Sequence, residues 1–155
     1  MQNEALLRGV YLFAELSSED LGQLTKIAEP KNLPAGYLIF RAGDPATALY
    51  LVKNGTVRIS VDTPGGDPVE VATLGTGSHF GEMALVDDMK RSATAETLEP
   101  TAVLCFEYEK VRDMLAKSPA TASKVYRAFA RFLSNRLRQT TTDMSFARGK
   151  NFRHF

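Results

Sequence analysis

The sequence predicts an α+β domain built on a small antiparallel β-roll, jelly-roll-like, with helices before and after it. Six short β-prone segments follow one another through the middle of the chain, each bounded by turn residues. Within them apolar and polar residues alternate, as in Val57, Ile59 and Val61 against Arg58 and Ser60, which is the pattern of a strand with one buried face. After Tyr108 the apolar spacing changes to that of helices.

The first element in chain order is a helix over Ser17 to Ala28. Ser17 caps its first turn with Asp20 reaching back, Leu16 and Leu21 form a hydrophobic staple, and Pro30 stops it. The strands are then expected at Tyr37 to Arg41, Ala48 to Val52, Thr56 to Asp62, Val69 to Leu74, Thr94 to Leu98 and Ala102 to Tyr108. Between them stand Ala35-Gly36, Ala42-Gly43-Asp44, Asn54-Gly55, Pro64-Gly65-Gly66 and Gly75-Thr76-Gly77, and Asn54-Gly55 suits a tight hairpin. The β-roll occupies about residues 30–108. A short helix follows at about Tyr108 to Ala116, and a longer one starts near Ala120 behind Ser118-Pro119. Val125, Phe129, Phe132, Leu133 and Leu137 form an apolar stripe along this long helix. It needs a surface to cover, either its own roll or the same helix of a second copy.

With 155 residues and 44% hydrophobic content, the chain fits one domain, placed at 1–143, and a tail over 144–155. No apolar run approaches membrane-spanning length and the N-terminus lacks a secretory signal, so a soluble cytoplasmic protein is expected. The single cysteine, Cys105, lies in an apolar run and reads as a buried strand residue. Charge is uneven: eight bases against one acid from Lys124 onward, 11 bases against 17 acids before it. That asymmetry is compatible with nucleic acid, anionic lipid or the acidic remainder of the chain as the partner of the basic end. Phe146, Phe152 and Phe155 interleave with Arg148, Lys150, Arg153 and His154. They read as a disordered basic aromatic tail, with contact to RNA, lipid or protein as the other reading.

The chemistry concentrates in His79-Phe80-Gly81-Glu82-Met83-Ala84-Leu85-Val86 and, after a loop, Arg91-Ser92-Ala93-Thr94. Gly81 lets a ligand approach the backbone, and the amides of Met83 to Leu85 at the start of a short helix can cradle an anion. Arg91 offers a permanently charged fork for phosphate oxygens, and Ser92 adds a hydroxyl. Glu82 would repel a bare anion but can accept from a sugar hydroxyl, so the set suits a sugar phosphate or nucleotide. The residues alone leave a second reading open, a surface turn in which Glu82 and Arg91 form an ion pair.

Phe80 to Leu85 and Arg91 to Thr94 resemble the phosphate-binding cassette of the cyclic-nucleotide-binding domain family, whose members include catabolite activators, kinase regulatory subunits and nucleotide-gated channels. The resemblance extends upstream to Pro34-Ala35-Gly36-Tyr37-Leu38-Ile39-Phe40-Arg41-Ala42-Gly43-Asp44, to Leu49-Tyr50-Leu51-Val52, Gly55-Thr56-Val57 and Gly75-Thr76-Gly77. It implies a roll of about eight strands, a short phosphate-binding helix, and cAMP or cGMP as regulatory ligand. By the same resemblance Glu82 holds the ribose 2′-hydroxyl, Arg91 pairs with the cyclic phosphate, the amides near Ala84 and Leu85 complete the cradle, and Phe80, Gly81, Met83, Ser92 and Ala93 line it. Ser92 is permissive for either base. Thr140 and Thr141 fall where catabolite activators place hydroxyl residues that reach adenine across a dimer; solvated threonines at a helix end are the alternative.

The expected function is a non-enzymatic cAMP or cGMP sensor that signals by repositioning its C-terminal helix, to a homodimer mate through that helix or to an unidentified effector protein. The alternatives are the effector domain of a transcription regulator and a fold-only member that mediates protein contacts. Met144 to Phe155 are too few for a helix-turn-helix, so this chain is expected as a stand-alone member that does not bind DNA sequence-specifically. An enzyme finds no support, because His79 and His154 form no metal cluster with closely spaced acids.

Overall fold

The structure is a computed structural model that describes the backbone of residues 2–152 and the side chains of residues 3–146. Helix α1 (Gln2–Arg8), a 3-10 turn (Tyr11–Phe13) and α2 (Ser18–Ile27) precede eight strands: β1 (Glu29–Leu33), β2 (Leu38–Phe40), β3 (Ala48–Asn54), β4 (Val57–Asp62), β5 (Pro68–Leu74), β6 (His79–Phe80), β7 (Thr94–Thr97) and β8 (Thr101–Glu107). The short helix α3 (Met83–Asp87) lies between β6 and β7, and α4 (Tyr108–Lys117) and α5 (Pro119–Phe152) close the chain. The strands form two four-stranded sheets, ordered β1-β8-β3-β6 and β2-β7-β4-β5, with every paired neighbour antiparallel. This is the α+β roll expected from the sequence.

Helix α2 starts where its cap was read. Ser17 Oγ accepts from the Asp20 amide at 3.1 Å, and Leu16 and Leu21 are both buried. The Asp20 carboxylate accepts from Thr121 Oγ1 at 2.9 Å, which ties the start of α2 to α5.

The central strands β3 and β8 of the sheet β1-β8-β3-β6 are buried on both faces. Leu49, Leu51, Leu104 and Phe106 point to a core shared with Leu7, Leu12, Phe13, Leu21, Val111, Leu115, Val125 and Phe129 from the helices and the 3-10 turn. The alternate residues of the same strand, Tyr50 and Val52, face the roll interior with Val57, Phe80, Ala95, Ile39, Phe40, Ile59 and Leu74. Double burial explains why β3 and β8 read as continuous apolar runs and β4 as an alternating one.

Three expectations are corrected. Strands β1 and β6 carry no strand signal of their own: β1 is a mostly exposed segment containing Pro30, and β6 has two residues. Both exist because a neighbour offers a ladder, β8 for β1 and β3 for β6. Asn54-Gly55 does not close a hairpin, since β3 and β4 belong to different sheets and the turn carries the chain from one to the other. Gly55 has φ +114° and sits so close to Thr101 that a Cβ there would lie 2.7 Å from the Thr101 Cα. The alternation in β4 breaks at Ser60, which is buried while Val61 is half-buried, because the β4/β5 register shifts between Ile59 and Ser60.

Helix α5 covers the roll with Val125 and Phe129 buried and Phe132 and Leu133 packed against the core, but Leu137 is 67% exposed. The backbone of α5 runs to Phe152, past the end near residue 143 read from the sequence. The side chains of Arg148, Lys150 and Phe152, and the whole of Arg153, His154 and Phe155, lie outside the described residues. Among the described residues no helix is long and apolar enough to cross a membrane.

Candidate functional site

The cassette is held between the two sheets and the C-terminal helices. β6 delivers Phe80 into the roll interior, where its ring stacks on Tyr50 at 5.1 Å, and the chain then turns at Gly81 with φ +76°. A Cβ at Gly81 would meet Arg91 Nη1 at 2.8 Å and the Ala48 carbonyl oxygen at 3.3 Å, so the glycine is required both by its dihedral and by the arginine beside it.

Arg91 is the centre of the site and is 8% exposed. Its Nη1 donates to the Gly81 carbonyl at 3.0 Å and to Tyr108 Oη at 2.9 Å, and its Nη2 donates to the Ala48 carbonyl at 2.7 Å. The guanidinium lies 4.0 Å from the centroid of the Phe40 ring. Its backbone is clamped as well, the Arg91 amide donating to the Asp44 carbonyl at 2.9 Å and the Arg91 carbonyl accepting from Gly43 at 2.8 Å. Nε is buried and has no hydrogen-bond partner among the described residues. No carboxylate pairs with this guanidinium among the described ion pairs. The Glu82–Arg91 ion pair of the surface-turn reading is therefore absent. Among the described residues, then, this buried cation is served only by neutral acceptors and keeps an idle donor, so its charge is uncompensated within the fold.

Glu82 is also buried, and its partner is His79: Glu82 Oε1 stands 3.3 Å from His79 Nδ1, with 8% and 6% of the His79 and Glu82 side chains exposed. Glu82 occupies the N-cap position of α3 without capping it by its side chain. The Leu85 amide donates to the Glu82 carbonyl at 3.1 Å, so the donors of the first turn that precede this bond belong to Met83 and Ala84. Of the three amides read as a cradle, that of Leu85 is thus engaged within the turn itself. The buried side chains of Ala84 and Leu85 fasten α3 to the helical core.

Ser92 is exposed beside Met83, its Oγ 3.8 Å from Met83 Sδ, and Ala93 follows immediately before β7. Phe80, Gly81, Glu82, Met83, Ala84, Leu85, Arg91, Ser92 and Ala93 are accordingly brought together in one region. Thr140 and Thr141 are not: both are exposed on α5, beyond Phe132 and Leu133, the last α5 residues packed on the core.

Four further groups come from the fold alone. Tyr108, at the start of α4, bonds the Gly81 carbonyl with its hydroxyl while accepting from Arg91, and burial pushes its phenol pKa up. Phe40 supplies the aromatic plane under the guanidinium. Arg112 of α4 donates to the Ala84 and Leu85 carbonyls at 3.2 and 3.1 Å and pairs with Asp88, whose φ of +55° ends α3. His79 stood in the sequence motif without a role, and Tyr108 read only as a helix start. The Tyr108 partners Arg91 and Gly81 lie 17 and 27 residues away; Glu82 is only three residues from His79, but the Phe132 ring on its other side is 53 residues away.

The sequence profile of the cyclic nucleotide-binding domain matches residues 30–118. The chain is 33% identical over 148 residues to the cyclic AMP receptor protein of Thermus thermophilus, aligning 94% of this chain with 67% of that one. It is 31% identical over 123 residues to a Rhodopseudomonas palustris protein described as a potassium channel protein, covering 79% of this chain and 29% of that protein. The crystal structure of the Thermus thermophilus catabolite activator protein superposes with a TM-score of 0.78 at 33% identity, over 88% of this chain and 62% of that chain. The chain thus spans from under a third to two thirds of the length of these three relatives.

Proposed function

Because this chain belongs to the cyclic nucleotide-binding domain family, we propose that it is a cAMP or cGMP sensor, a non-enzymatic module whose cassette holds the nucleotide and whose α5 passes the signal on. The observation that carries this reading is the buried Arg91 guanidinium, which has an idle Nε and no carboxylate partner among the described residues. A cyclic phosphate monoanion supplies the missing charge, taken by Arg91 Nε and the remaining Nη2 hydrogen with the Met83 and Ala84 amides. Glu82 faces His79 with Oε1, which leaves Oε2 for the ribose 2′-hydroxyl. Ser92 stands at the mouth, near the base. The resemblance to a protein named for cyclic AMP favours adenine.

Calorimetric titration of the full chain with cAMP and with cGMP tests this. A ligand of about 22 heavy atoms at roughly 0.3–0.4 kcal/mol per atom gives micromolar affinity, so heats with a Kd near that value are expected for at least one of them. Silence for both at millimolar ligand would sink the sensor reading.

The signal requires that the ligand contact one position of α5 better than another, because equal affinity for both would move nothing. The basic, largely exposed far half of α5 presents Leu137, Thr140 and Thr141 to solvent. We assign this stretch to a second copy of the chain, whose Thr140 and Thr141 reach the base. Leu137→Glu should then halve the mass seen by light scattering of the nucleotide-loaded protein; a monomeric parent would refute the dimer. An effector protein is the remaining partner class, and the wholly different chemistry of sequence-specific DNA contact is not assigned to these residues.

A further inference from the structure

Of the groups around the cassette, His79 is the one whose position none of the roles above explains. Its side chain is buried, and its Nδ1 has no hydrogen-bond partner among the described residues although Glu82 Oε1 is only 3.3 Å away. On its other side the imidazole packs against Phe132 of α5, with ring centroids 4.8 Å apart. An unsatisfied buried nitrogen is costly in a core that has no use for it.

We infer that His79 is a positioning residue, which sets the Glu82 carboxylate for the nucleotide and links it to α5 through Phe132. This inference rests on the sensor reading and names a regulation of that same site. When Nδ1 carries a proton, a small rotation turns the 3.3 Å approach into a hydrogen bond to Oε1, and the second oxygen is then held toward the ligand. The same imidazole is the surface on which Phe132 rests. Phe132 also touches Tyr11 of the 3-10 turn at 6.2 Å between centroids and carries the Arg136 guanidinium 5.6 Å from its own centroid. A shift of Glu82 and His79 on nucleotide binding therefore reaches α5 through one ring contact.

The test is calorimetry of the full chain with cAMP and cGMP, with amide hydrogen exchange of the α5 segment 125–137 with and without nucleotide. The variants are His79→Asn, which keeps a donor near the Nδ1 position but has no ring, and His79→Phe, which keeps a ring but has no donor. Both are expected to bind about fivefold or more weakly than the parent, the low end of coupling between linked sites. Asn binds more tightly than Phe, whereas Phe preserves more of the nucleotide-induced protection of α5. A purely structural role predicts Phe as the better substitute in both measurements. A His79→Phe variant that matches the parent, or that exceeds Asn in both measurements, would overturn this inference alone; no binding by the parent would overturn the sensor reading and this inference with it.

Discussion

Arg91→Lys is expected to weaken cyclic-nucleotide binding by roughly 100-fold or more while leaving the protein folded. The guanidinium makes three contacts to neutral acceptors and still has Nε and one Nη2 hydrogen to give. Two charge-assisted bonds to phosphate at about 1.5–3 kcal/mol each correspond to 10²-fold or more in Kd. An ammonium keeps the charge but has only three donors on one nitrogen, and it has no plane to lie on the Phe40 ring. Once it has satisfied the Gly81 and Ala48 carbonyls it has one donor left, so it cannot make both bonds to a phosphate. Arg91→Ala should cost at least as much affinity. Titration of the two variants beside the parent, with melting curves to establish folding, reads the effect. Parental affinity in Arg91→Lys would show that the phosphate is held elsewhere, and the proposed ligand geometry would fail with it.

Gly55→Ala is the stability counterpart, with an expected loss of about 2–6 kcal/mol from backbone strain and overpacking together. At φ +114° a side chain is strained whatever the space, and here the new methyl would enter the Thr101 side chain and backbone. Thr101 cannot retreat, because its Oγ1 accepts from the Thr56 amide at 3.2 Å and donates to the Glu99 carbonyl at 2.8 Å at the start of β8. For a chain of this size the corresponding fall in Tm is roughly 5–20 °C. Thermal unfolding followed by circular dichroism measures it. A loss below about 0.5 kcal/mol, the range of an ordinary surface substitution, would mean that the crossover between the sheets is not packed as described.

Gly55 also illustrates how far local reading reaches. Asn-Gly is a good turn signal, and the turn is there, but whether it joins two paired strands or two sheets depends on where β8 lies, nearly fifty residues further on. Strands β3, β4, β5, β7 and β8 were legible because their own residues alternate or run apolar, and α2 because its cap and staple are local. Strands β1 and β6 were not, because their hydrogen bonds are lent by neighbours. The stripe on α5 was legible in its spacing, yet spacing could not tell that the roll ends under Leu133 and leaves Leu137 in solvent.

The candidate site divides in the same way. The residue types and order of Gly81, Glu82 and Arg91 by themselves pointed to a sugar phosphate and left an ion-paired surface turn open beside it, since a glycine turn, a short helix start and a guanidinium are chemistry that side chains carry with them. Whether Glu82 and Arg91 neutralise each other was left open, because ion pairing depends on distance and not on sequence separation. Only the tertiary structure decided it: Ala48 from β3, Phe40 from β2 and Tyr108 from α4 surround the guanidinium with neutral acceptors and ring faces, while His79 stands against Glu82. Charge and donor count belong to the residues. The neutral acceptors that surround Arg91 among the described residues are a property of the packing, and they are what supports the reading of an anion site.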